Sequence, residues 1–309
     1  MMMTQAGRFC TVEMKTTVLP DSLTSNGNAF DLSDETFGEL RDANSLLGDM
    51  GAIHERLAED GYLLFRNYLD KEKVLAARRE LIGKLDAIGL IDRSKPFMDA
   101  IFSGDTSGIS ATDRKAFARN LRSGPALKKV CFSGRIMSFF EEFFGDEVLH
   151  LNYIWVRNRR RGAAAPCHFD WVYMGRGTRN VVTTWIPQGA IPLCDGPLAI
   201  LYGSHKWQEL QQTYGKIDVD KDKDKNPYGG GSLTKDPNLP QQRFGGRWLT
   251  TEFEPGDMLM FGMFTLHCSL DNESPENRIR LSTDTRYQLA SEPADERWIG
   301  DDPFGHGMM

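Results

Sequence analysis

The chain has 309 residues, 40% hydrophobic and 26% charged, enough to bury a full core without disulfide or metal staples. Thirty-seven basic against 43 acidic residues give a net charge of −6, which argues against a nucleic-acid partner. No apolar run approaches the roughly 18 residues of a membrane span, and 10% aromatic residues are too many for a solvated coil. The N-terminus lacks the charged-then-apolar pattern of a secretory leader. The five cysteines, Cys10, Cys131, Cys167, Cys194 and Cys268, are odd in number and contain no C-x-x-C pair. Free thiols in a reducing cytoplasm are expected, not a disulfide framework.

Residues 1–30 have no period and read as a loose arm, followed by one catalytic domain over 31–309. From Asp34 to Leu57 the apolar residues Phe37, Leu40, Leu46, Leu47, Ile53 and Leu57 recur at roughly helical spacing, interrupted by Gly48 and Gly51. Tyr62 to Phe65 reads as a short apolar strand. Asp70 is the expected N-cap of a helix whose apolar face holds Val74, Leu75, Leu81 and Leu85. Further helices are expected over 96–147, so that 31–147 forms a largely helical part.

Near residue 148 the texture changes. LHLNYIWVR, RNVVTTWIP, PLAILYG, RWLTTEF, DMLMFGMF and IRLSTDTRYQ are short β-branched and aromatic runs divided by Gly, Pro, Asn and Asp. That is the signature of an antiparallel β barrel or sandwich, here over 148–290. A polar insertion, 211–246, interrupts it. Its composition and its place before the strand that leads to His267 suggest a mobile lid anchored by Tyr228, Leu233, Leu239 and Phe244. Asp218, Asp220, Asp222 and Asp224 alternate like calcium ligands, but Lys223 and Gly229 stand where an EF-hand loop needs Gly and Glu. A solvated loop is expected instead.

Six histidines are present: His54, His150, His168, His205, His267 and His306. His168 and Asp170 form H-x-D, which on an extended segment points both side chains to one side. His267 is the best third ligand. Two histidines and one carboxylate suit non-haem Fe(II) with open positions, and catalytic zinc could use the same set. Arg278 and Arg280 lie eleven and thirteen residues after His267, with Ser282 beyond. A guanidinium facing into a barrel needs an anion, either a bound carboxylate assisted by Ser269 or a structural partner such as Asp284.

The blocks EDGYLLFRNYLDKEKV, HFD, TTWIPQGAIPLCDGPLAILYGSHKW and EPGDMLMFGMFTLHCSLDNESPENRIRLS, in that order over roughly 55–290, resemble the phytanoyl-CoA dioxygenase family of Fe(II)/2-oxoglutarate oxygenases. The resemblance implies a mainly β fold with flanking helices, a double-stranded β-helix (jelly-roll, cupin-like) barrel. It implies His168, Asp170 and His267 as iron ligands and catalytic centre, with 2-oxoglutarate as cosubstrate and O2 as oxidant. Arg278 then meets the distal carboxylate of 2-oxoglutarate, with Arg280 as second choice, and Ser269 and Trp185 line the cosubstrate site. His205, in a Gly-Ser-His turn, is expected to be structural. Because Asp170 is present, halogenation is disfavoured and hydroxylation of a small molecule is expected. A zinc hydrolase or isomerase and a non-catalytic binding protein of the same fold are the alternatives.

Arg157, Arg159, Arg160 and Arg161 precede the H-x-D segment and could greet an acidic substrate, although a charge run reads first as a solvated turn. Arg157 is the one expected to point inward, with Tyr153 and Trp155. Trp171, Tyr173 and Met174 could wall the site or simply pack in the core.

Overall fold

The computed structural model describes residues 21–111, 113–222, 230–303 and 305–306. In chain order the strands are β1 (Thr24–Ser25), β2 (Asn28–Ala29), β3 (Phe37–Glu39), β4 (Tyr62–Phe65), β5 (Val148–His150), β6 (Trp155–Arg159), β7 (Val182–Pro187), β8 (Leu198–Leu201), β9 (Trp248–Thr250), β10 (Met258–Gly262), β11 (His267–Ser269) and β12 (Arg280–Leu289). The major sheet runs β4-β10-β7-β12-β5, with β6 also pairing β12. The minor sheet runs β11-β8-β9-β3. The mainly β fold with flanking helices is the expected jelly-roll type, built as an open sandwich of two sheets and not as a closed barrel.

Strand alternation sorts the layers. On β12, Leu281 and Tyr287 face outward and join the helical layer, together with Val182 and Ile186 of β7 and Met258 and Met260 of β10. Tyr62, Leu64, Trp185, Ile200, Leu259 and Phe261 pack between the sheets. The outer face of the minor sheet is covered by Phe30, Phe37, Leu210, Tyr214 and Trp248.

The helical layer follows its local signals. Asp49 caps Met50–Asp60 by accepting from Ala52 N, and Gly61 at φ 81° ends it in the left-handed region that favours glycine. The Asp70 carboxylate accepts from Glu72 N and Lys73 N and opens Lys71–Asp86, as the sequence suggests. Arg135–Phe144 packs Phe139, Phe140 and Phe143 inward, and Phe140 stacks on Tyr287 with ring centroids 4.0 Å apart. The Tyr287 hydroxyl then donates to the Cys131 carbonyl at 2.5 Å. One strand residue thus ties the sheet to two helices.

Three expectations change. The helical reading from Asp34 fails before Met50: Phe37–Glu39 is a strand that pairs in parallel with Trp248–Thr250, and Gly48 at φ 95° separates it from the helix. Phe37 and Leu40 follow helical spacing only because both sheet and helix bury apolar residues. The described part of the N-terminal arm is no loose coil. Residues 24–29 form a hairpin around Asn26 and Gly27, both at positive φ, and the Asp271 carboxylate accepts from both of their backbone N–H groups at 2.9 Å. Cys10 lies outside the described residues.

The insertion 211–246 is tied down on both described flanks. Thr234 bridges Cys167, and the Tyr214 hydroxyl donates to the Gly231 carbonyl. The Trp248 indole donates to the Pro237 carbonyl at 2.9 Å, and the Val219 N–H reaches the Val172 carbonyl. Of the acidic run, Asp218 and Asp220 are not solvated: Asp218 accepts from Arg176 at 2.8 Å, and Asp220 takes Arg297. Lys223, Asp224, Pro227, Tyr228 and Gly229 lie outside the described residues.

Truncating Phe140 to Ala removes the ring between helix and sheet. The expected cost is about 3–5 kcal/mol of stability, read by chemical denaturation. A loss below ~1 kcal/mol would show that the helical layer does not support β12.

Candidate metal centre and its cavity

The Cys167–His168 segment is extended and bridges Cys167 to Thr234 and His168 to His267. Asp170 has already turned into the helical region (φ −66°, ψ −29°) at the start of Trp171–Met174. The expected strand alternation therefore does not bring His168 and Asp170 together; a strand-to-turn transition does. The Asp170 side chain caps no helix N–H. It points inward and is buried.

His267 arrives on β11, opposite His168. Both His Nε2 atoms lie 3.8 Å from Asp170 Oδ1, and one ligating atom from each residue falls within 4.8 Å of the other two. Ligands about 2.1 Å from a shared ion sit roughly 3–3.5 Å apart, so a slight contraction closes the set on a metal. The Nδ1–H of His168 donates to the Pro166 carbonyl at 2.7 Å and that of His267 to the Thr265 carbonyl at 3.0 Å. Those bonds fix the tautomer that leaves each Nε2 lone pair facing the gap.

Asp170 is held from behind. Its Oδ2 accepts from the Thr183 hydroxyl at 2.5 Å and from Arg286 Nη2 at 2.8 Å, leaving Oδ1 for the metal side. Burial alone would raise its pKa; Arg286, then the two histidines and Thr183, pull it well below the usual carboxylate range. Burial, and then neighbouring His267, lower His168 to about 3, and burial lowers His267 as well. At neutral pH the site is one anion and two neutral imidazoles, a donor set that suits Fe(II) or another divalent ion.

The three ligands open into a cavity of about 320 Å³. Tyr153, Trp155 and Arg157 line it together, as β6 alternation predicts, and Arg159 follows them inward. Arg160 instead lies over the Phe102 ring, and Arg161 sits near Glu273 on the surface. Tyr173, Met174, Trp185, Ser269 and Arg280 also line the cavity, whereas Trp171 packs against Phe264. Trp171 is thus part of the core. His205 is structural, its Nε2–H donating to the Ala58 carbonyl at 2.9 Å.

Arg278 does not reach the cavity. Its guanidinium is held by Asp195 at 3.0 Å and Glu276 at 2.6 Å. It precedes β12, in a bridge with Ile101, so it does not share the inward face of Arg280. Arg280 is buried, donates to the Ser282 hydroxyl at 2.5 Å and keeps its Nε without a partner. Burial, and then neighbouring Arg159, lower its pKa to about 9: it is a cation short of countercharge. Asp284, named above as a structural partner for Arg278 or Arg280, is taken by Arg157 at 2.6 Å.

Residues 57–280 match the family model described as phytanoyl-CoA dioxygenase (PhyH). The chain belongs to the phytanoyl-CoA dioxygenase family. Among curated proteins it is similar to the 1-deoxypentalenic acid 11-beta-hydroxylases of Streptomyces arenae (27% identical, 83% of this chain and 87% of that one) and of Streptomyces exfoliatus (26%, with the same coverage). Among solved structures it shares its fold with the carbocyclase SnoK from nogalamycin biosynthesis (TM-score 0.52, 16% identity, 82% and 89% covered). It shares it also with apo EctD from S. alaskensis (TM-score 0.51, 16% identity, 92% and 91% covered). Family membership makes the chain a dioxygenase of the non-haem iron class, with 2-oxoglutarate as cosubstrate and O2 as oxidant.

Three functional candidates escaped sequence reasoning. Thr183 carries no motif. His306 lines the cavity from the C-terminal segment. Arg286 was readable, because the inward alternation through Arg280, Ser282 and Asp284 continues to it.

Thr183→Val keeps the shape and removes the hydroxyl from Asp170. A roughly 10- to 100-fold loss of Fe(II) affinity is expected, measured by anaerobic metal titration. Unchanged affinity would mean that Arg286 alone orients the carboxylate.

Proposed function

We propose that the chain is an Fe(II)/2-oxoglutarate-dependent hydroxylase of a small acidic molecule. His168, Asp170 and His267 hold the iron, and Arg280, Ser269 and Trp185 hold the far end of 2-oxoglutarate. The observation that carries this reading is the convergence of the three ligands at a cavity whose lining holds Arg157, Arg159, Arg280 and Arg286 against only Asp170 and Asp284. The iron, when bound, supplies oxygen activation coupled to decarboxylation of 2-oxoglutarate to succinate.

The residues of the chain do the rest. Arg280 offers an unpaired edge in a dry wall, where a carboxylate is the cheapest partner. Ser269 Oγ accepts from Ala165 N at 2.8 Å, which leaves its own proton free to donate to the same carboxylate. The Arg280 guanidinium lies 6.0 Å over Trp185, whose ring closes that end. Trp185 is in turn fixed edge-on by Phe253.

Charge favours an acidic substrate. Four guanidiniums against two carboxylates leave two positive charges in the lining. The metal adds two and 2-oxoglutarate removes two. A surplus of two remains for the molecule that enters last. The two curated relatives are named for an acid, 1-deoxypentalenic acid, which agrees with that sign. Tyr153, Trp155 and Tyr173 give the same space apolar walls. In the described residues no helix is long and apolar enough to cross a membrane. Cys131, Cys167, Cys194 and Cys268 are free thiols, which supports a cytoplasmic location.

Anaerobic addition of Fe(II) and 2-oxoglutarate should produce the visible metal-to-ligand charge-transfer band. Arg280→Gln should weaken 2-oxoglutarate in that titration by about 2–5 kcal/mol, some 30- to 4000-fold. Arg278→Gln should leave it within about threefold, since Asp195 and Glu276 hold that side chain. The opposite ranking would return the role to Arg278. No band at all in the native protein would end the proposal.

A further inference from the structure

Arg286 is the residue in the cavity wall whose donors are least satisfied. Its side chain is 1% exposed. One nitrogen, Nη2, serves Asp170, while Nε and Nη1 are buried with no hydrogen-bond partner. Asp284, the nearest other carboxylate, is 4.0 Å from Nη2 and already accepts two bonds from Arg157. The guanidinium plane is fixed from one side by Trp155, whose ring centroid is 4.0 Å away. A buried arginine with two idle donors is destabilising unless a ligand completes it. The residue also lies beyond 57–280, the stretch that the family model matches.

We infer that Arg286 is the specificity-determining anchor for a carboxylate of the substrate, its idle Nη1 donor receiving that group while Nη2 holds the outer oxygen of Asp170. This rests on the proposed function above. Arg280 and Arg286 stand six residues apart on one strand face, roughly 20 Å along the backbone. A single 2-oxoglutarate held at Arg280 therefore leaves Arg286 free for a second anion. Trp155 and Tyr153, tilted against each other with ring centroids 4.6 Å apart, line the cavity with Arg286 and offer an apolar body its surface. The class read by this subsite is a carboxylic acid on a hydrophobic frame. Because one guanidinium touches both the metal ligand and the substrate, an uncharged analogue would lose its anchor and leave the buried donors unpaired. A site built that way rejects the analogue by more than the lost bond alone.

Benzoate and its neutral isostere benzamide serve as probes. They are titrated into the anaerobic protein with Fe(II) and saturating 2-oxoglutarate, following the visible band. The same titration is read by tryptophan fluorescence without metal, since Trp155 lies on the guanidinium. The native protein should bind benzoate at least tenfold tighter than benzamide. Arg286→Lys keeps a cation beside Asp170 but loses the planar fork, and the preference should fall to about threefold or less. Arg280→Lys should weaken 2-oxoglutarate and retain the benzoate preference. The inference is overturned if the native protein does not distinguish the probes, if Arg286→Lys keeps the full preference, or if the preference moves with Arg280. Should the band fail to form in the native protein, the iron and 2-oxoglutarate reading falls, and the fluorescence titration still decides the role of Arg286.

Discussion

An ionised carboxylate has to survive at the centre of the molecule, and much of the architecture answers that demand. Asp170 is buried between two sheets, where an unpaired anion costs several kcal/mol. Thr183 and Arg286 satisfy its rear oxygen from two different strands, β7 and β12, that are themselves neighbours. The register Arg286↔Thr183 places those two donors side by side. A one-residue slip of β12 against β7 would turn Arg286 away from Asp170 and bring the outward Tyr287 to the cavity. The pairing of two strands and the geometry of a candidate metal ligand are therefore one constraint. The helical layer contributes by fixing β12 through Phe140 and Cys131.

How far the sequence disclosed this depended on whether the signal was local. The runs at Tyr62–Phe65, Val182–Pro187 and Arg280–Leu289 are dense in β-branched and aromatic residues, and all are strands. Asp70 is legible because an N-cap is a bond between residues two and three apart. The triad is legible because H-x-D and a histidine beyond a Pro-Gly turn are short patterns. Phe37–Glu39 is not, because its partner is Trp248–Thr250, more than two hundred residues away, and its three residues have no period of their own. Family spacing favours Arg278 over Arg280. What separates them is the carboxylate of Asp195, whose position at the end of a distant turn no spacing records.

Alternation along β12 and β6 gives the cavity its chemistry. Arg280, Asp284 and Arg286 come from one strand and Trp155, Arg157 and Arg159 from the next, with Asp284 paired to Trp155 in register. Arg157 reaches across to Asp284, so each strand supplies one partner of that ion pair. Burial and then Arg157 lower Arg159 to about 10, as burial and Arg159 lower Arg280. The wall is thus under-neutralised by design of the strand faces and not by a surface charge run. A chain with net charge −6 can still present a cationic interior to its ligands.

The acidic run that looked like a solvated loop has a place in the same electrostatics. Asp218 and Asp220 engage Arg176 and Arg297, two arginines outside the lining, and Asp220 also accepts from His306 Nδ1–H at 3.2 Å. His306 reaches the cavity and packs edge-on against Trp298 and Tyr173. The described part of the insertion and the C-terminal segment are therefore joined by ion pairs beside the rings of Tyr173 and Trp298. Ion pairs of that kind contribute little net stability when exposed but strengthen as water is excluded. Arg297 is 1% and Asp220 11% exposed, so their pair belongs to the second kind and ties the insertion to the C-terminal segment.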